Sequence, residues 1–286
     1  MPGGSPRDAQ AQGEPDRPAG RDAYVKWLLE SFGVEVGERL ESRYDAVVNK
    51  VKRDFEATDL WSQIRSELND FDSAYRLVAQ NYPLFLASDE VPRLVTKSFN
   101  SYLLKTYRRN VLENDKWPEP PPDGWILPSE GFSQINDLVR TSFVVKYLDG
   151  VEFLAEEIKK NSIDHGCACT LDFEAKIEGH YAAHLGIRSK FQIPGDRWEI
   201  EDVSLTMEIQ IITQLQEVIR RLTHKFYETR REQPSQVRSN WQWDYRSDEF
   251  TANYLGHILH YVEGMIMEVR TREKVEIGDK AWSEQI

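Results

Sequence analysis

The sequence predicts an α+β protein in which a mixed sheet of about four to five strands is flanked by helices. The first observation is a change of pattern along the chain. Residues 24–112 carry apolar side chains at helical spacing, whereas residues 141–213 contain short β-branched and aromatic runs separated by turns. The second observation is a return to helical spacing after residue 213. Helices, then strands, then helices again are typical of one α+β core with helical additions.

The N-terminal part is predicted to be helical. A tail over residues 1–23 is rich in Gly, Pro, Ala and polar residues, has almost nothing to bury and is predicted to be disordered. A helical region follows over residues 24–92, and a further helix is predicted over 93–112. Five prolines within residues 116–129 exclude regular structure there, so this stretch is expected to be a loop.

The strands are predicted in the central part of the chain, with a short helix over 151–160 between the first two. Their predicted ranges are 141–148, 169–177, 183–193 and 204–213. Helices are predicted over 214–231 and from about 250 to 273. The expected organisation is therefore a catalytic core domain over residues 93–235, followed by a C-terminal helical extension over 236–286.

Charge and hydropathy narrow the class of function. The 286 residues carry a net charge of -12, which argues against a general nucleic-acid coat. Basic residues nevertheless cluster in residues 93–116 and 214–231, which favours a focused polyphosphate site. No stretch approaches the roughly 20 apolar residues of a membrane span, and an apolar signal core is missing at the N-terminus. We therefore expect a cytoplasmic protein without a membrane partner.

Two acidic residues are the central candidates for chemistry. Asp137 lies just before the first predicted strand, and Glu208 lies within the apolar run 207–213. A carboxylate inside an apolar strand usually has a partner or a metal ion. If two strands bring the two acids to one place, the acids could hold one Mg²⁺ that neutralises a nucleotide phosphate. Glu208 could also accept the proton of an attacking hydroxyl.

Basic residues upstream are candidates for binding the nucleotide. Lys97, Ser101 and Lys105 recur at a spacing of four, which on a helix puts them on one face. Two ammonium groups and a hydroxyl in line could bind successive phosphates of a triphosphate. Arg108 and Arg109, one turn further on, could clamp a phosphate or stack on a base.

The stretch 179–184 contains the candidates for binding the acceptor. His180 and His184 are four residues apart, which on a helix would suggest a metal pair. A preceding glycine and a following strand favour a loop that leads into a strand. We therefore expect the two histidines to contact phosphates or a base rather than a metal. Tyr181 is a candidate platform on which an acceptor base could stack.

The order of these motifs resembles the RelA/SpoT-type pyrophosphokinases, which transfer the β,γ-pyrophosphate of ATP to a ribose 3′-hydroxyl. The matching segments are residues 97–109, 135–138, 179–184, 208–213 and 222–227. The resemblance covers residues 90–231, about half of the chain. It implies a nucleotidyltransferase-like mixed sheet and a single-domain synthetase of the small alarmone synthetase kind, or of its toxic relatives.

The resemblance also implies roles for the residues. Glu208 and Asp137 would hold Mg²⁺, and Glu208 would activate the acceptor hydroxyl. ATP would be bound by Lys97, Ser101, Lys105, Arg108 and Arg109. The acceptor would be bound by His180, Tyr181 and His184. The implied activity is that of an ATP-dependent diphosphotransferase that acts on GDP or GTP and makes the alarmone guanosine tetraphosphate of the stringent response.

Departures from the family pattern leave the acceptor open. His180 stands at the family's tyrosine position, Ala182 replaces its serine, and Ile212 replaces the arginine of the glutamate strand. The donor ligands match better than the acceptor ligands. One alternative is therefore a toxic member that pyrophosphorylates the 3′ end of tRNA and blocks translation. A second is a degenerate nucleotide sensor. A homo-oligomer and an antitoxin partner remain open.

Overall fold

The computed structural model describes residues 17–86, 92–195, 197, 199–231 and 241–283. For residues 223–231 and 273–283 it describes the backbone alone.

A five-stranded mixed sheet forms the centre of the molecule. Its strands lie in the order β1-β2-β5-β4-β3. Strands β2 and β5 are parallel, whereas the other neighbours are antiparallel. The predicted α+β class and the mixed sheet of four to five strands are confirmed. The strands are β1 (Val95–Thr96), β2 (Val139–Val145), β3 (Ala168–Ala175), β4 (Tyr181–Pro194) and β5 (Ile200–Thr213).

Eight α-helices surround the sheet in the part of the chain that the structure describes. Those before the long strands are α1 (Arg21–Phe32), α2 (Glu38–Glu56), α3 (Asp59–Ser66), α4 (Leu68–Val78) and α5 (Phe99–Tyr107). Those after β2 are α6 (Leu148–Asp164), α7 (Gln214–Arg231) and α8 (Asp248–Ser283). A π-helical turn, Arg108–Leu112, continues α5. The backbone N–H of Gln216 donates to the hydroxyl of Thr213, which marks the start of α7 directly after β5.

The sheet has one core face and one open face because side chains alternate along each strand. Phe143 of β2, Leu185 of β4 and Ile209 of β5 are fully or almost fully buried on the core face. Helices α2 and α6 contact the sheet and complete this core. Glu208 and His184 belong to the opposite face, where both side chains are half-buried. The alternation thus turns apolar residues to the core and leaves polar ones for a site.

The N-terminal part differs from the prediction at its start. Residues 1–16 of the predicted disordered tail lie outside the described residues. Arg17 donates to the backbone carbonyls of Val111 and Asn114, and the first helix already begins at Arg21. The predicted tail therefore extends too far, because one long side chain can tie a polar segment to the core.

The C-terminal helix α8 contacts the rest of the protein near its start and near residue 270. Near its start Gly256 lies against Gly179 of the β3–β4 turn, and a Cβ atom on Gly256 would come within 2.4 Å of the Gly179 carbonyl oxygen. Near residue 270 the Arg270 guanidinium lies over the rings of Tyr82 and Tyr147, 4.4 Å and 4.5 Å from their centroids. Arg270 also donates to Asp149 at 3.1 Å. Cation–π contacts and an ion pair therefore hold this part of α8.

Membrane spans are missing from the described residues. None of the helices there is both long enough and apolar enough to cross a bilayer.

Glu263→Gln is expected to stabilise the protein above neutral pH. Burial of this α8 side chain raises the pKa of Glu263 to about 7, from an ordinary value of 4.5. The stability linked to this carboxyl is therefore complete below pH 4.5 and is lost as the pH rises through 7. The variant should exceed the wild type in free energy of unfolding by about 2 kcal/mol at pH 8 and by almost nothing at pH 4, measured by urea denaturation.

Glu268→Gln is the matched control for this prediction. Glu268 is on the same helix but is exposed, where it pairs with Arg272. Its removal should leave the pH dependence of stability unchanged. Parallel pH profiles for Glu263→Gln and the wild type would contradict the prediction.

Candidate active site

Asp137 lies between two ammonium groups just before β2. Its Oδ2 accepts from Lys97 Nζ at 2.7 Å, and its Oδ1 accepts from Lys105 Nζ at 2.8 Å. Burial alone would raise the pKa of Asp137, but the charges of Lys105 and Lys97 outweigh it and hold that pKa well below its usual range. Burial lowers the pKa of Lys97, although Asp137 opposes the shift. The carboxylate is therefore ionised, with more positive than negative charge around it.

Lys97 reaches Asp137 from outside the helix, which corrects the prediction of one helical face. Its backbone N–H donates to the carbonyl of Leu138 at 2.8 Å, and its own carbonyl accepts from the hydroxyl of Tyr44 at 2.8 Å. Ser98 is the N-cap of α5, so Lys97 precedes the first helical residue. The two lysines converge on one carboxylate instead of forming a row.

Ser101, Arg108 and Arg109 do not join these lysines at Asp137. The hydroxyl of Ser98 donates to that of Ser101 at 2.9 Å. Arg108 pairs with Glu113, and Arg109 donates to the carbonyl of Gln134 at 3.0 Å. Ser98 and Glu113 are exposed, so a phosphate could replace the contact of Ser101 or that of Arg108 at little cost. The contact of Arg109 with the backbone of Gln134 is part-buried.

Glu208 forms the second part of the site, together with His184. Nδ1 of His184 donates to Oε1 of Glu208 at 2.8 Å, across the β4–β5 pair. Burial raises the pKa of Glu208, but the hydrogen bond from His184, together with the charges of His184 and Lys105, leaves that pKa below its usual range. Burial lowers the pKa of His184, whereas Glu208 and Glu174 raise it to a net value above the ordinary one. Glu208 is thus an ionised carboxylate held by an imidazole.

Glu208 lies on β5, and Asp137 lies just before β2, the parallel neighbour of β5. Arg140 of β2 pairs with Glu208 of β5, and Asp137 lies three residues before Arg140. The charge of Asp137 raises the pKa of Glu208, and the charge of Lys105 lowers it. The two carboxylates are therefore near enough to repel each other, and Lys105 is near enough to act on both.

A magnesium ion fits this donor set. Two carboxylates supply the hard oxygen ligands that Mg²⁺ prefers. Their mutual repulsion is the condition that a divalent cation relieves, and Lys97 and Lys105 already supply positive charge at Asp137. Asp137 and Glu208 are thus the residues that could hold such an ion.

His180 lies beside His184, but Tyr181 does not. The ring centroids of the two histidines are 6.4 Å apart. Burial and the charge of Lys176 lower the pKa of His180 to about 4, so its ring is neutral at pH 7. Tyr181 and His184 are three residues apart on β4, so their side chains lie on opposite faces of the sheet. Its hydroxyl contacts Nδ1 of His257 at 2.8 Å.

A residue of α8 covers one face of the Tyr181 ring. For that ring face the predicted role of Tyr181 as a stacking platform is therefore wrong. The ring of His260 stacks on Tyr181 at 3.6 Å, with the two planes 6° apart. Tyr181 is one residue further along than the tyrosine of the motif that the sequence resembles, and neighbouring residues of a strand lie on opposite sides of it. A base cannot use a ring face that a histidine already covers.

Three residues near His180, Tyr181 and His184 were not predicted from the sequence. Glu174 of β3 lies 3.1 Å from Nε2 of His184, measured from its Oε2. His257 and His260 of α8 contact Tyr181 as described. The alternation of β3 places Glu174 on one of two faces, but only the strand register and the path of α8 bring these residues to the site.

The comparisons with known proteins found similar structures but no similar sequences. No protein-family model matches the sequence, and no curated protein matches it. The structure is similar to that of small alarmone synthetase 1 from Bacillus subtilis bound to its product pppGpp. The identity is 14%, the TM-score is 0.48, and the similarity covers 81% of this chain and 96% of that one.

Two further structures are of the same kind. Small alarmone synthetase 2 from Bacillus subtilis is 16% identical with a TM-score of 0.40, over 75% of this chain and 98% of that one. A GTP pyrophosphokinase family protein from Streptococcus pneumoniae is 14% identical with a TM-score of 0.46, over 84% and 97%. These proteins are of the kind that the sequence motifs resemble. Identities and TM-scores of this size leave the function to be inferred from the site itself.

Lys97→Met is expected to destabilise the fold through Asp137. The variant leaves a buried carboxylate with one ammonium group instead of two, and breaking a buried pair costs about 3–5 kcal/mol. The loss should shrink markedly in the double variant Lys97→Met/Asp137→Asn, because the amide carries no charge. Urea denaturation of the wild type, both single variants and the double variant measures this coupling. If the loss in stability of the double variant equals the sum of the losses of the two single variants, the two side chains do not interact directly.

Proposed function

We propose that the protein is a pyrophosphokinase that transfers the β,γ-pyrophosphate of ATP to the 3′-hydroxyl of a guanine nucleotide, GDP or GTP, with Mg²⁺. The observation that carries the proposal is the pairing of two mutually repelling carboxylates, Asp137 and Glu208, with two lysines on the same site. Phosphoryl-group transfer depends on positioning and on charge stabilisation more than on covalent chemistry by the protein.

The donor side is assigned to the lysines. Lys97 and Lys105 bring two positive charges to a place where one carboxylate balances only one of them. The remaining charge favours the phosphates of ATP. Ser101 at the start of α5 offers a hydroxyl and lies near the positive end of the helix dipole. Magnesium, held by Asp137 and Glu208, would neutralise phosphate charge there.

The acceptor side is assigned to Glu208 and the histidines. Glu208 is ionised at neutral pH and is held by His184, so it can accept the proton of the acceptor hydroxyl. The 3′-oxygen then forms a bond to the β-phosphorus of ATP, the bond from that phosphorus to the α–β bridging oxygen breaks, and AMP leaves. The neutral His180 can contact the acceptor beside Glu208.

Asp137→Asn and Glu208→Gln are each expected to lower transfer by more than about 100-fold, because each removes a charge that acts on the reacting groups. The assay uses ATP labelled at the γ-phosphate, Mg²⁺, and GDP or GTP, with the product separated by chromatography. Asp202→Asn is the matched control, because Asp202 is an exposed acid on the same strand as Glu208. Rates near the wild type in either site variant would overturn the assignment.

The acceptor is identified by offering GDP, GTP and deacylated tRNA separately. We expect label on the guanine nucleotides, no label on 3′-deoxy-GTP, and only a weak dependence of the rate on salt. Label on tRNA with a steep salt dependence would support the toxic alternative instead, since a polyanion releases counterions on binding. The sequence predicts a tRNA track on the basic helix 220–231 and the run 238–241, and residues 238–240 of that track lie outside the described residues. Binding of ATP without transfer to any acceptor would favour a nucleotide sensor.

A further inference from the structure

Three potential metal ligands meet at the end of the β3–β4 hairpin. Glu174 of β3, His180 of the turn and His184 of β4 each offer one ligand atom, and these atoms all lie within 4.8 Å of one another. Glu174 and His184 share a sheet face because Glu174 pairs with Ala182 and Asp172 pairs with His184. The cluster therefore arises from the register of two strands, and the turn adds the third ligand.

Two atoms of the cluster are buried without a hydrogen bond. Nε2 of His184 lies 3.1 Å from Oε2 of Glu174, and Nζ of Lys176 lies 3.0 Å from the same oxygen. Both contacts lack hydrogen-bond geometry, so Nε2 and Oε2 remain unsatisfied. Buried polar atoms in folded proteins nearly always have a partner. A cation between these two atoms would satisfy both.

The orientation of His184 is already set for binding a metal. The carboxylate of Glu208 can only accept, so Nδ1 of His184 carries the hydrogen of their 2.8 Å bond. The lone pair of the neutral ring then lies on Nε2, which is 3.1 Å from Oε2 of Glu174. A carboxylate that fixes the tautomer of a ligating histidine in this way is the usual second partner in histidine metal sites.

We propose that Glu174, His180 and His184 bind one divalent cation of the zinc class. Two imidazole nitrogens and one carboxylate oxygen suit Zn²⁺, Co²⁺ or Ni²⁺, whereas Mg²⁺ prefers oxygen ligands alone. Three protein ligands leave a coordination position open. This ion is distinct from the magnesium assigned to Asp137 and Glu208, and its binding does not depend on the proposed transfer activity. A bound ion would take over the acceptor contact assigned to the two histidines.

The test is a titration of the full chain with Co²⁺ after treatment with a chelator. We expect visible absorption bands that saturate at one ion per chain and disappear when Zn²⁺ is added. Glu174→Gln, His180→Gln and His184→Gln should each weaken Co²⁺ binding by more than about 10-fold. Lys176→Met should strengthen it, because the variant removes an ammonium group that competes for Oε2 of Glu174. Circular dichroism confirms that each variant is folded.

The controls separate this cluster from other ligands. Asp172→Asn changes an exposed acid on the same strand, and His260→Gln removes a histidine of α8, so both should bind Co²⁺ as the wild type does. Asp137→Asn should also leave Co²⁺ binding unchanged, even if it abolishes transfer. No saturable Co²⁺ binding by the folded wild type would overturn the proposal, as would unchanged affinity in the three ligand variants. In that case a protonated His184 that bridges Glu174 and Glu208 accounts for the cluster.

Discussion

The parallel pairing of β2 with β5 is the constraint on which the site depends. It puts Arg140 opposite Glu208 and brings Asp137, just before β2, beside the same strand. Two parallel strands need a long connection, and here α6, β3 and β4 supply it. A slip of one residue in this pairing would turn Glu208 to the core face. The buried apolar residues of β5 exclude such a slip, so the packing of the core also determines where the chemistry can occur.

Charge compensation is the second principle of the site. Asp137 is balanced by two lysines, and Glu208 is held by one histidine. Partly buried charges are tolerated only when such partners are present. The partners are unequal, however. Two ammonium groups contact the one carboxylate of Asp137, whereas the two carboxylates of Glu208 and Glu174 share one imidazole, and Lys176 contacts Glu174 alone. The local charge therefore changes from positive around Asp137 to negative around Glu208 and Glu174. The first side suits a polyanion, and the second suits a proton acceptor or a cation.

Much of the fold could be predicted from the sequence, because alternation and helical spacing are local signals. The predicted strand 204–213 lies within β5, and the helix 214–231 has the bounds of α7. The errors came from features that local patterns do not contain. Lys97 has helical spacing to Lys105, yet Ser98 caps the N-terminus of α5, so the helix begins only after Lys97. The face of Tyr181 and the proximity of Glu174 to His184 depend on pairing between distant segments. Asp137 and Glu208 could be singled out because isolated acids beside apolar runs are unusual.

The contact between Gly179 and Gly256 has a mechanical consequence. With no side chain on either glycine, the turn that carries His180 sits directly on the backbone of α8. Tyr181 adds a hydrogen bond and a ring contact from α8 to the first residue of β4. The turn and α8 are therefore joined, and the contacts of Arg270 hold α8 at a second place. If the hairpin moves far enough to expose His180 and His184 to solvent, then either α8 moves with it or these contacts break.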